Sequence, residues 1–131
     1  MPPEPTRGVP SRNLAGRAEV LLAVDSASVR FGGVRALDNV TCAVYRGEIC
    51  GLIGPNGAGK TTLFNCITRL YALSEGSITF AGNRIDRLHA RRIIEIGIAR
   101  TFQNLGLYPG MTVLENVALG AHHRYQSGFA D

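Results

Sequence analysis

Residues 51–63 read Gly-Leu-Ile-Gly-Pro-Asn-Gly-Ala-Gly-Lys-Thr-Thr-Leu, and residues 54–61 within them match the pattern G-x-x-x-x-G-K-[ST] completely. The apolar run 49–53 leads into this segment, and the amphipathic stretch 61–70 leaves it. A strand that enters such a loop and a helix that follows it are the usual setting of a phosphate-binding loop. The sequence therefore predicts phosphate binding here, and with it nucleotide binding.

The backbone of this loop is suited to an anion. Glycine adopts conformations that are closed to residues with a Cβ, so the loop glycines allow consecutive N–H groups to turn toward a phosphate. The N-terminus of the following helix also favours negative charge, because its first N–H groups are unpaired and the helix dipole is positive there. The candidate nucleotide-binding residues are Gly54, Asn56, Gly57, Ala58, Gly59, Lys60, Thr61 and Thr62.

Lys60 and the two threonines after it carry the polar side chains of the motif. Lys60 is the only lysine among 14 strongly basic residues, and a compact ammonium suits a crowded phosphate site better than a planar guanidinium. We expect Lys60 to bridge the β- and γ-phosphates in a catalytic role, Thr61 to coordinate Mg²⁺, and Thr62 to reach the α-phosphate region. The alternative is a glycine-rich turn that binds nothing.

Composition indicates one globular domain with a real core, since 45% of the 131 residues are hydrophobic. The net charge is +4, but the arginines are scattered and no aromatic stacking platform lies among them, so a generally basic surface is favoured over a nucleic-acid partner. The three cysteines, Cys42, Cys50 and Cys66, show no C-x-x-C spacing. They are predicted to be small core residues in a reducing compartment.

The start of the chain differs from the rest. Residues 1–18 contain four prolines, three arginines and almost no large apolar side chain, so this segment cannot bury enough surface to order itself. No apolar run is long enough for a signal sequence or a membrane span, which argues against export and lipid insertion. We predict a disordered tail over residues 1–20 and a single domain over residues 21–131.

Hydrophobic patterns and turn signals divide the remainder of the chain into strands and helices. Residues 49–53 form a continuous apolar run that is typical of a buried parallel strand. A capping box from Thr112 to Glu115 marks the start of the last helix. The predicted strands are 21–31, 40–46, 49–53, 77–81 and 98–102, and the predicted helices are 60–71, 90–96 and 112–121, an α/β arrangement.

Three segments together resemble one family. They are residues 51–63, residues 99–104 with the sequence Ala-Arg-Thr-Phe-Gln-Asn, and residues 111–117 with Met-Thr-Val-Leu-Glu-Asn-Val. In these segments the chain is similar to the ATP-binding subunits of ABC transporters, and most of all to those of branched-chain amino-acid importers. The resemblance implies an ABC-type nucleotide-binding domain of the P-loop NTPase fold, truncated, with an antiparallel β subdomain and an incomplete parallel core sheet.

The resemblance also assigns roles. It implies ATP and Mg²⁺ as cofactors, and it identifies Gln103 with a catalytic glutamine that approaches Mg²⁺ and the attacking water and links the site to a membrane partner. Phe31 matches an aromatic residue that stacks on adenine, although it could equally be a core residue at the end of a strand. The family's membrane-subunit contact falls at Leu107, Tyr108 and Met111, for which ordinary loop packing is the alternative.

The chain departs from the family pattern in two ways. Arg69 replaces a glycine that is usual at the end of the helix after the phosphate loop, and residues 72–74 replace a segment that usually contains proline. The sequence ends at Asp131, before the expected positions of the Leu-Ser-Gly-Gly-Gln-type signature, the Asp-Glu strand and the switch histidine. The resemblance therefore implies a sheet with open edges and a chain that binds phosphate without hydrolysing ATP alone.

These features predict the N-terminal part of an ATP-binding component that couples ATP binding and hydrolysis to import, here of branched-chain amino acids. The expected partners are transmembrane permease subunits and a second ATP-binding subunit, at the cytoplasmic face of the plasma membrane. The alternative is a short module that binds nucleotide or a transporter subunit without hydrolysis. Other P-loop enzymes are disfavoured, because a GTPase would carry Asn-Lys-x-Asp and residues 102–104 do not suit a kinase.

Overall fold

The centre of the fold is an antiparallel sheet with the strand order β2-β1-β3-β4. The computed structural model describes residues 19–102 and 106–121. Within these ranges, three short helices accompany the sheet. The strands are β1 Val20–Phe31, β2 Val34–Tyr45, β3 Glu75–Phe80 and β4 Asn83–Arg84, and the helices are α1 Lys60–Ile67, α2 Ala90–Glu95 and α3 Val113–Gly120.

A tight hairpin joins β1 to β2. Its turn is the glycine pair 32–33, with Gly32 at a φ of +57°, and Phe31 pairs directly with Val34. The strand β1 agrees with its prediction to within one residue, whereas β2 begins at Val34 instead of at residue 40. The prediction was too short because the first residues of β2 become a strand through the hairpin pairing and not through an alternating pattern of their own.

The hydrophobic core fixes α1 against the sheet. Leu63 and Cys66 of α1 are buried together with apolar residues of β1, β2 and β3, and Ile93 of α2 joins the same cluster. Burial of each large aliphatic side chain contributes roughly 1.5–3 kcal/mol, so α1 and the loop before it are held firmly beside β2. The buried cluster consists of Val24, Ala27, Val29, Leu37, Leu63, Cys66, Ile78, Ile85 and Ile93.

A close backbone contact lies where β3 starts beside an irregularity in β1. The register of the β1–β3 pair shifts between Asp25 and Ser28, and Ser26 has a φ of +51°. Gly76 packs on this bulge with a φ of +90°, and a Cβ at Gly76 would lie 2.4 Å from the Ser26 carbonyl oxygen and 2.5 Å from that of Asp25. Only glycine fits this position without a backbone shift.

Two stretches predicted as parallel core strands, residues 49–53 and 98–102, are not strands in the structure. The apolar run at 49–53 is not buried, since Ile49 is 100% and Ile53 94% exposed. A strand exists only through hydrogen bonds to a neighbouring strand, and within residues 19–102 and 106–121 no strand lies beside either stretch. The antiparallel β subdomain is thus confirmed, whereas the described residues do not form the parallel part of the sheet.

The three free cysteines differ in their surroundings. Cys66 is buried and Cys42 is half-buried, as predicted for core residues, and burial raises the pKa of both thiols. The prediction was wrong for Cys50, which is exposed because it belongs to the unpaired run 49–53. A thiol with a raised pKa stays protonated at neutral pH, so Cys42 and Cys66 are poor nucleophiles.

The helix α1 ends earlier than predicted, in a turn that usually contains glycine. Arg69 has a φ of +62°, and the N–H groups of Arg69 and Leu70 donate to the carbonyls of Cys66 and Asn65 at 3.1 and 2.8 Å. These two bonds are the standard glycine-dependent closure of a helix. Here the Arg69 side chain supports the turn, because its Nε donates to the Leu88 carbonyl at 2.9 Å. The presence of Arg69 in place of the usual glycine therefore leaves the turn intact.

The remaining elements lie within two residues of their predicted bounds, apart from β4, which is too short to leave a pattern. The capping box at the start of α3 is confirmed: the Thr112 hydroxyl accepts from the Glu115 N–H, and the Glu115 carboxylate accepts from the Thr112 N–H.

None of the residues of α3 is buried. No helix within the described ranges is long and apolar enough to cross a lipid bilayer.

Asp86 completes the hydrogen bonding of β3 where β4 is too short to do so. Its side chain is only 9% exposed, and Oδ1 accepts from the N–H of buried Ile78 at 3.1 Å. Arg84 donates to the same carboxylate at 2.7 and 3.1 Å. The pKa of Asp86 is lowered, first by the hydrogen bond from Arg84 and also by that from Ile78. The ionised form is thus the one that stabilises the fold.

Asp86→Ala is expected to lower the free energy of unfolding at pH 7 by about 1–3 kcal/mol, because the Ile78 N–H loses its acceptor. A group with a lowered pKa in the folded state contributes stability above its ordinary pKa and loses it as the pH falls through the folded value. The difference from wild type should therefore shrink below about pH 4, as urea unfolding at several pH values will measure. Asp38→Asn, at an exposed ion pair, is the control and should cost less than about 1 kcal/mol.

Candidate functional site

The predicted phosphate loop, residues 54–59, runs directly into α1. Gly57 and Gly59 have φ values of +82° and +88°, which residues with a side chain rarely adopt. The helix begins at Lys60; no side chain in the described part of the protein caps it, and its first turn contains no acidic residue. Its first N–H groups therefore remain available to an anion at this end of the helix.

Gly59 holds the loop against β2. A Cβ on Gly59 would lie 2.5 Å from the Ala36 carbonyl oxygen and 2.8 Å from Cδ2 of Leu37. At Gly57, by contrast, a Cβ would meet nothing within 4 Å. The two glycines thus serve different purposes: both provide the backbone conformation, but only Gly59 also allows the loop to touch the neighbouring strand.

The Lys60 ammonium lies over the loop. Its Nζ donates to the Pro55 carbonyl at 2.7 Å and also to the Gly54 carbonyl. Both carbonyls belong to exposed residues of the loop. The side chain is therefore already directed into the concave side of the loop, and its hydrogen bonds there are made to neutral acceptors that a phosphate oxygen can replace.

A cavity of about 320 Å³ opens between the loop and the start of β2. Its volume lies within the range of small-ligand sites. One wall comes from the loop and the first turn of α1, and the other comes from β2 just after the hairpin turn. The lining residues are Asn56, Gly57, Gly59, Lys60, Thr61 and Thr62 on the first wall and Val34, Arg35 and Ala36 on the second.

The two threonines after Lys60 both line this cavity, Thr61 exposed and Thr62 half-buried. Within residues 19–102 and 106–121, no group of three or more His, Cys, Asp or Glu side chains could hold a metal ion. The hydroxyls of Thr61 and Thr62 are side-chain oxygens that a cation in this cavity could use together with oxygens of the ligand and water. That is the donor set that Mg²⁺ accepts when it binds a nucleotide.

Phe31 lies next to the cavity without lining it. Its ring is 47% exposed and contacts Tyr71 edge-on, with ring centroids 5.1 Å apart. Phe31 is also directly opposite Val34 in the hairpin, so the two side chains leave the same face of the sheet. The ring is therefore exposed enough to stack on a base, and its contact with Tyr71 is consistent with ordinary packing as well.

Gln103 lies outside the described residues. Just before it, the Arg100 guanidinium lies over two rings, 5.1 Å from the centroid of Phe102 and 5.8 Å from that of Phe64. The same guanidinium donates to Oδ1 of Asn65 in α1. Arg100 thereby ties the stretch that leads to Gln103 to the helix that follows the phosphate loop, a link that sequence spacing did not reveal.

The segment around Tyr108 is organised by one side chain of α3. The Asn116 Oδ1 accepts from the Tyr108 N–H at 2.9 Å, and its Nδ2 donates to the carbonyls of Tyr108 and Met111 at 3.2 and 3.3 Å. Leu107, Tyr108 and Met111 are exposed. With Pro109 and residues of α3 they line an open groove of about 450 Å³. Asn116 was not singled out from the sequence.

Sequence comparison relates the chain to transport proteins. The family model for ABC transporters matches residues 37–130. The branched-chain amino acid transport ATP-binding protein LivG of Salmonella typhimurium is 42% identical over 111 residues, which make up 85% of this chain and 44% of LivG. BraF of Pseudomonas aeruginosa, named for the same transport, is 39% identical over 83% of this chain and 43% of its own. The chain thus spans less than half the length of these relatives.

Another relative is named for a sugar: the ribose import ATP-binding protein RbsA of Caldanaerobacter subterraneus is 39% identical over 80% of this chain and 21% of its own. Among solved structures, an ATP-binding cassette of an ABC transporter matches with a TM-score of 0.72 and 38% identity, over 77% of this chain and 40% of that one. A dimeric bacterial cassette matches with a TM-score of 0.69 and 27% identity, over 84% and 50%. The chain belongs to the ABC transporter family and has the fold of its ATP-binding cassettes.

Proposed function

We propose that the chain binds Mg·ATP at residues 54–62. The observation that supports this proposal most is the uncapped N-terminus of α1, which faces a cavity together with the Lys60 ammonium and the hydroxyls of Thr61 and Thr62. A polyphosphate is favoured over a neutral ligand here, because backbone N–H groups, the dipole of α1 and the Lys60 ammonium all lie at one cavity. Nucleotide binding thus accounts for the loop, the helix and the cavity together.

Each loop residue has a role in this proposal. The N–H groups of the loop would donate to phosphate oxygens, apart from that of Ala58, which donates to the Pro55 carbonyl at 3.2 Å. Lys60 would exchange its bonds to the Gly54 and Pro55 carbonyls for bonds to phosphate oxygens. This exchange is favourable because a hydrogen bond between two charged groups is stronger than one to a neutral carbonyl. In this proposal Thr62 would reach the α-phosphate region, and Gln103 would approach Mg²⁺ and the attacking water.

Titration calorimetry of the full chain with Mg·ATP tests the proposal. We expect saturable binding at one site per chain, which excess inorganic tripolyphosphate displaces because the phosphates carry the recognition. A chain that shows no heat of binding, and no shift of its unfolding midpoint at millimolar Mg·ATP, contradicts the proposal. The second readout matters because a ligand that binds only the folded state raises its stability even where the heat is small.

Thr61→Val is expected to remove most of the effect of Mg²⁺ on ATP affinity, because valine keeps the shape of threonine and lacks the oxygen ligand. Affinity for ATP in EDTA should change little, whereas affinity in Mg²⁺ should fall by about tenfold, to near the EDTA value. Parallel titrations in Mg²⁺ and in EDTA measure the ratio. Thr68→Val is the matched control: Thr68 directly follows the last residue of α1, and its hydroxyl donates to the Phe64 carbonyl. An unchanged Mg²⁺ effect in Thr61→Val would place the cation elsewhere.

For the whole protein we propose a role as the ATP-binding component of an importer at the cytoplasmic face of the membrane. Support for branched-chain amino acids as the substrate comes from the names of LivG and BraF, and the name of the ribose importer supports a sugar as the alternative. A second ATP-binding subunit is the proposed partner in nucleotide binding, supported by the dimeric cassette. The groove beside Tyr108 is the proposed contact with the permease, since it is apolar and exposed.

A further inference from the structure

We propose that Arg35 is a further nucleotide-binding residue, whose guanidinium contacts phosphate oxygens of a nucleotide held by the loop. The inference rests on the proposed function, because it adds a ligand to the same site. Arg35 belongs to β2 and to no part of the loop motif. It nevertheless lines the cavity of about 320 Å³ together with Lys60 and Thr61, on the wall that faces the loop.

The orientation of Arg35 is set by one carboxylate. Its Nη1 donates to both oxygens of Asp38, each at 2.9 Å. Arginine has five N–H donors, and among the described residues none accepts from Nε or Nη2 of Arg35. The side chain is 55% exposed. The guanidinium is therefore held in place on one side, while its other donors remain available to a ligand.

The charges at the cavity favour an anion as that ligand. Lys60 is the cation of the loop wall, and Arg35 is the one cation of the β2 wall among the lining residues. A triphosphate carries more negative charge than Lys60 alone balances, and the guanidinium fork matches two phosphate oxygens in geometry. Asp38 offsets part of the positive charge, so the contribution of Arg35 should be smaller than that of Lys60.

The hairpin explains why a residue so far from the motif in sequence reaches the site. The two-residue turn after Phe31 starts β2 immediately, and Gly59 lets the loop approach β2 at Ala36, the neighbour of Arg35. Arg35 is thereby placed beside the loop. Arg35 and Ala36 are consecutive in a strand, so their side chains leave opposite faces. Because β2 is an edge strand of the sheet, both residues can still line the cavity.

Calorimetry with two ligands, Mg·ATP and Mg·tripolyphosphate, tests the proposal on wild type, Arg35→Gln and Arg46→Gln. Arg46 is the matched control: it follows β2, pairs with the carboxylate of Glu19 at 2.9 Å and is 57% exposed. We expect Arg35→Gln to weaken both ligands by the same factor, about five- to tenfold. Arg46→Gln should weaken each by less than about twofold, since Arg46 lies beyond the opposite end of β2 from Arg35 and does not line the cavity.

Arg35→Gln also leaves Asp38 unpaired, and a free carboxylate would repel phosphate. The double variant Arg35→Gln, Asp38→Asn removes this effect and keeps the net charge of wild type. If Arg35 touches the phosphates, the double variant stays weaker than wild type for both ligands. If its affinity returns to the wild-type value, the loss in Arg35→Gln came from Asp38 and the proposal is wrong.

Three further results overturn the inference. If Arg35→Gln binds both ligands as tightly as Arg46→Gln does, Arg35 makes no contact, while the proposed function stands. If Arg35→Gln weakens ATP but not tripolyphosphate, the contact is to the nucleoside and not to phosphate. If wild type binds neither ligand, the proposed function fails and the inference fails with it. Urea unfolding of each variant verifies that it is folded, and Arg35→Lys, which keeps the charge without the fork, should show an intermediate loss.

Discussion

Lys60→Ala is expected to weaken Mg·ATP binding by roughly 10- to 100-fold, the largest effect of any single side chain in the loop. A hydrogen bond to a charged partner contributes about 1.5–3 kcal/mol, which corresponds to that range of affinity. The ammonium already lies over the loop through its bonds to Pro55 and Gly54, so little reorganisation precedes contact with phosphate. Calorimetric titration of wild type and variant, at equal ionic strength, measures the ratio.

Two controls accompany this prediction: the free energy of unfolding of Lys60→Ala and the affinity of Lys60→Arg. The partners of the Lys60 ammonium are carbonyls of exposed residues, which water can satisfy, so the free energy of unfolding should change by less than about 1 kcal/mol. Lys60→Arg keeps the charge but replaces a compact ammonium with a planar fork, and it should also bind poorly. Equal affinity of wild type and Lys60→Ala would remove the loop from consideration as the nucleotide site.

Gly76→Ala is expected to destabilise the fold by about 2–5 kcal/mol. The alanine Cβ would lie within 2.6 Å of three backbone atoms of Asp25 and Ser26, and backbone atoms in a paired strand cannot move aside as a flexible side chain can. Overpacking of this kind costs about 1–3 kcal/mol. The left-handed backbone conformation, at a φ of +90°, adds about 1–2 kcal/mol for a residue with a Cβ.

Gly82→Ala separates the two contributions. Gly82 has a φ of +78°, and a Cβ there would meet nothing within 4 Å, so its substitution should cost only the conformational term of about 1–2 kcal/mol. Urea unfolding of both variants, followed by circular dichroism, gives the difference. If the two variants are equally stable, β1 yields at its bulge, and the contact at Gly76 is looser than its geometry indicates.

The elements that were predicted well are those whose signal is local. The strand β1 is β-prone and alternates in part along its own sequence. The helix α3 begins with a capping box within four residues, and the phosphate loop is a single contiguous pattern. The predictions failed where pairing decides the structure. Residues 49–53 are apolar enough for a strand but have no neighbour in the described part of the chain, and β4 exists only because Asn83 and Arg84 pair with β3.

The same distinction applies to the candidate site. The residues Gly57, Gly59, Lys60, Thr61 and Thr62 follow from one motif, and the structure places them around one cavity, whereas Gly54 and Ala58 of the same motif do not line it. Arg35 and Ala36 reach that cavity only because the hairpin and Gly59 bring β2 to the loop. No spacing rule connects residues brought together in this way. The Arg69 turn is a similar case, since the side-chain bond that supports it goes to Leu88, which is distant in sequence.

The exposed helix α3 should be locally less stable than the strands of the sheet. It has eight residues, none of them buried, and helices of that length are marginal in water without tertiary contacts. Its capping box and the Asn116 bonds favour the helical state but cannot make it persistent. The amide hydrogens of α3 should therefore exchange with solvent by local fraying, at a free energy far below that of β1. Any molecule that binds the exposed surface of α3 has to order the helix as it binds, and this ordering lowers its affinity. Its specificity still comes from the side chains that it contacts.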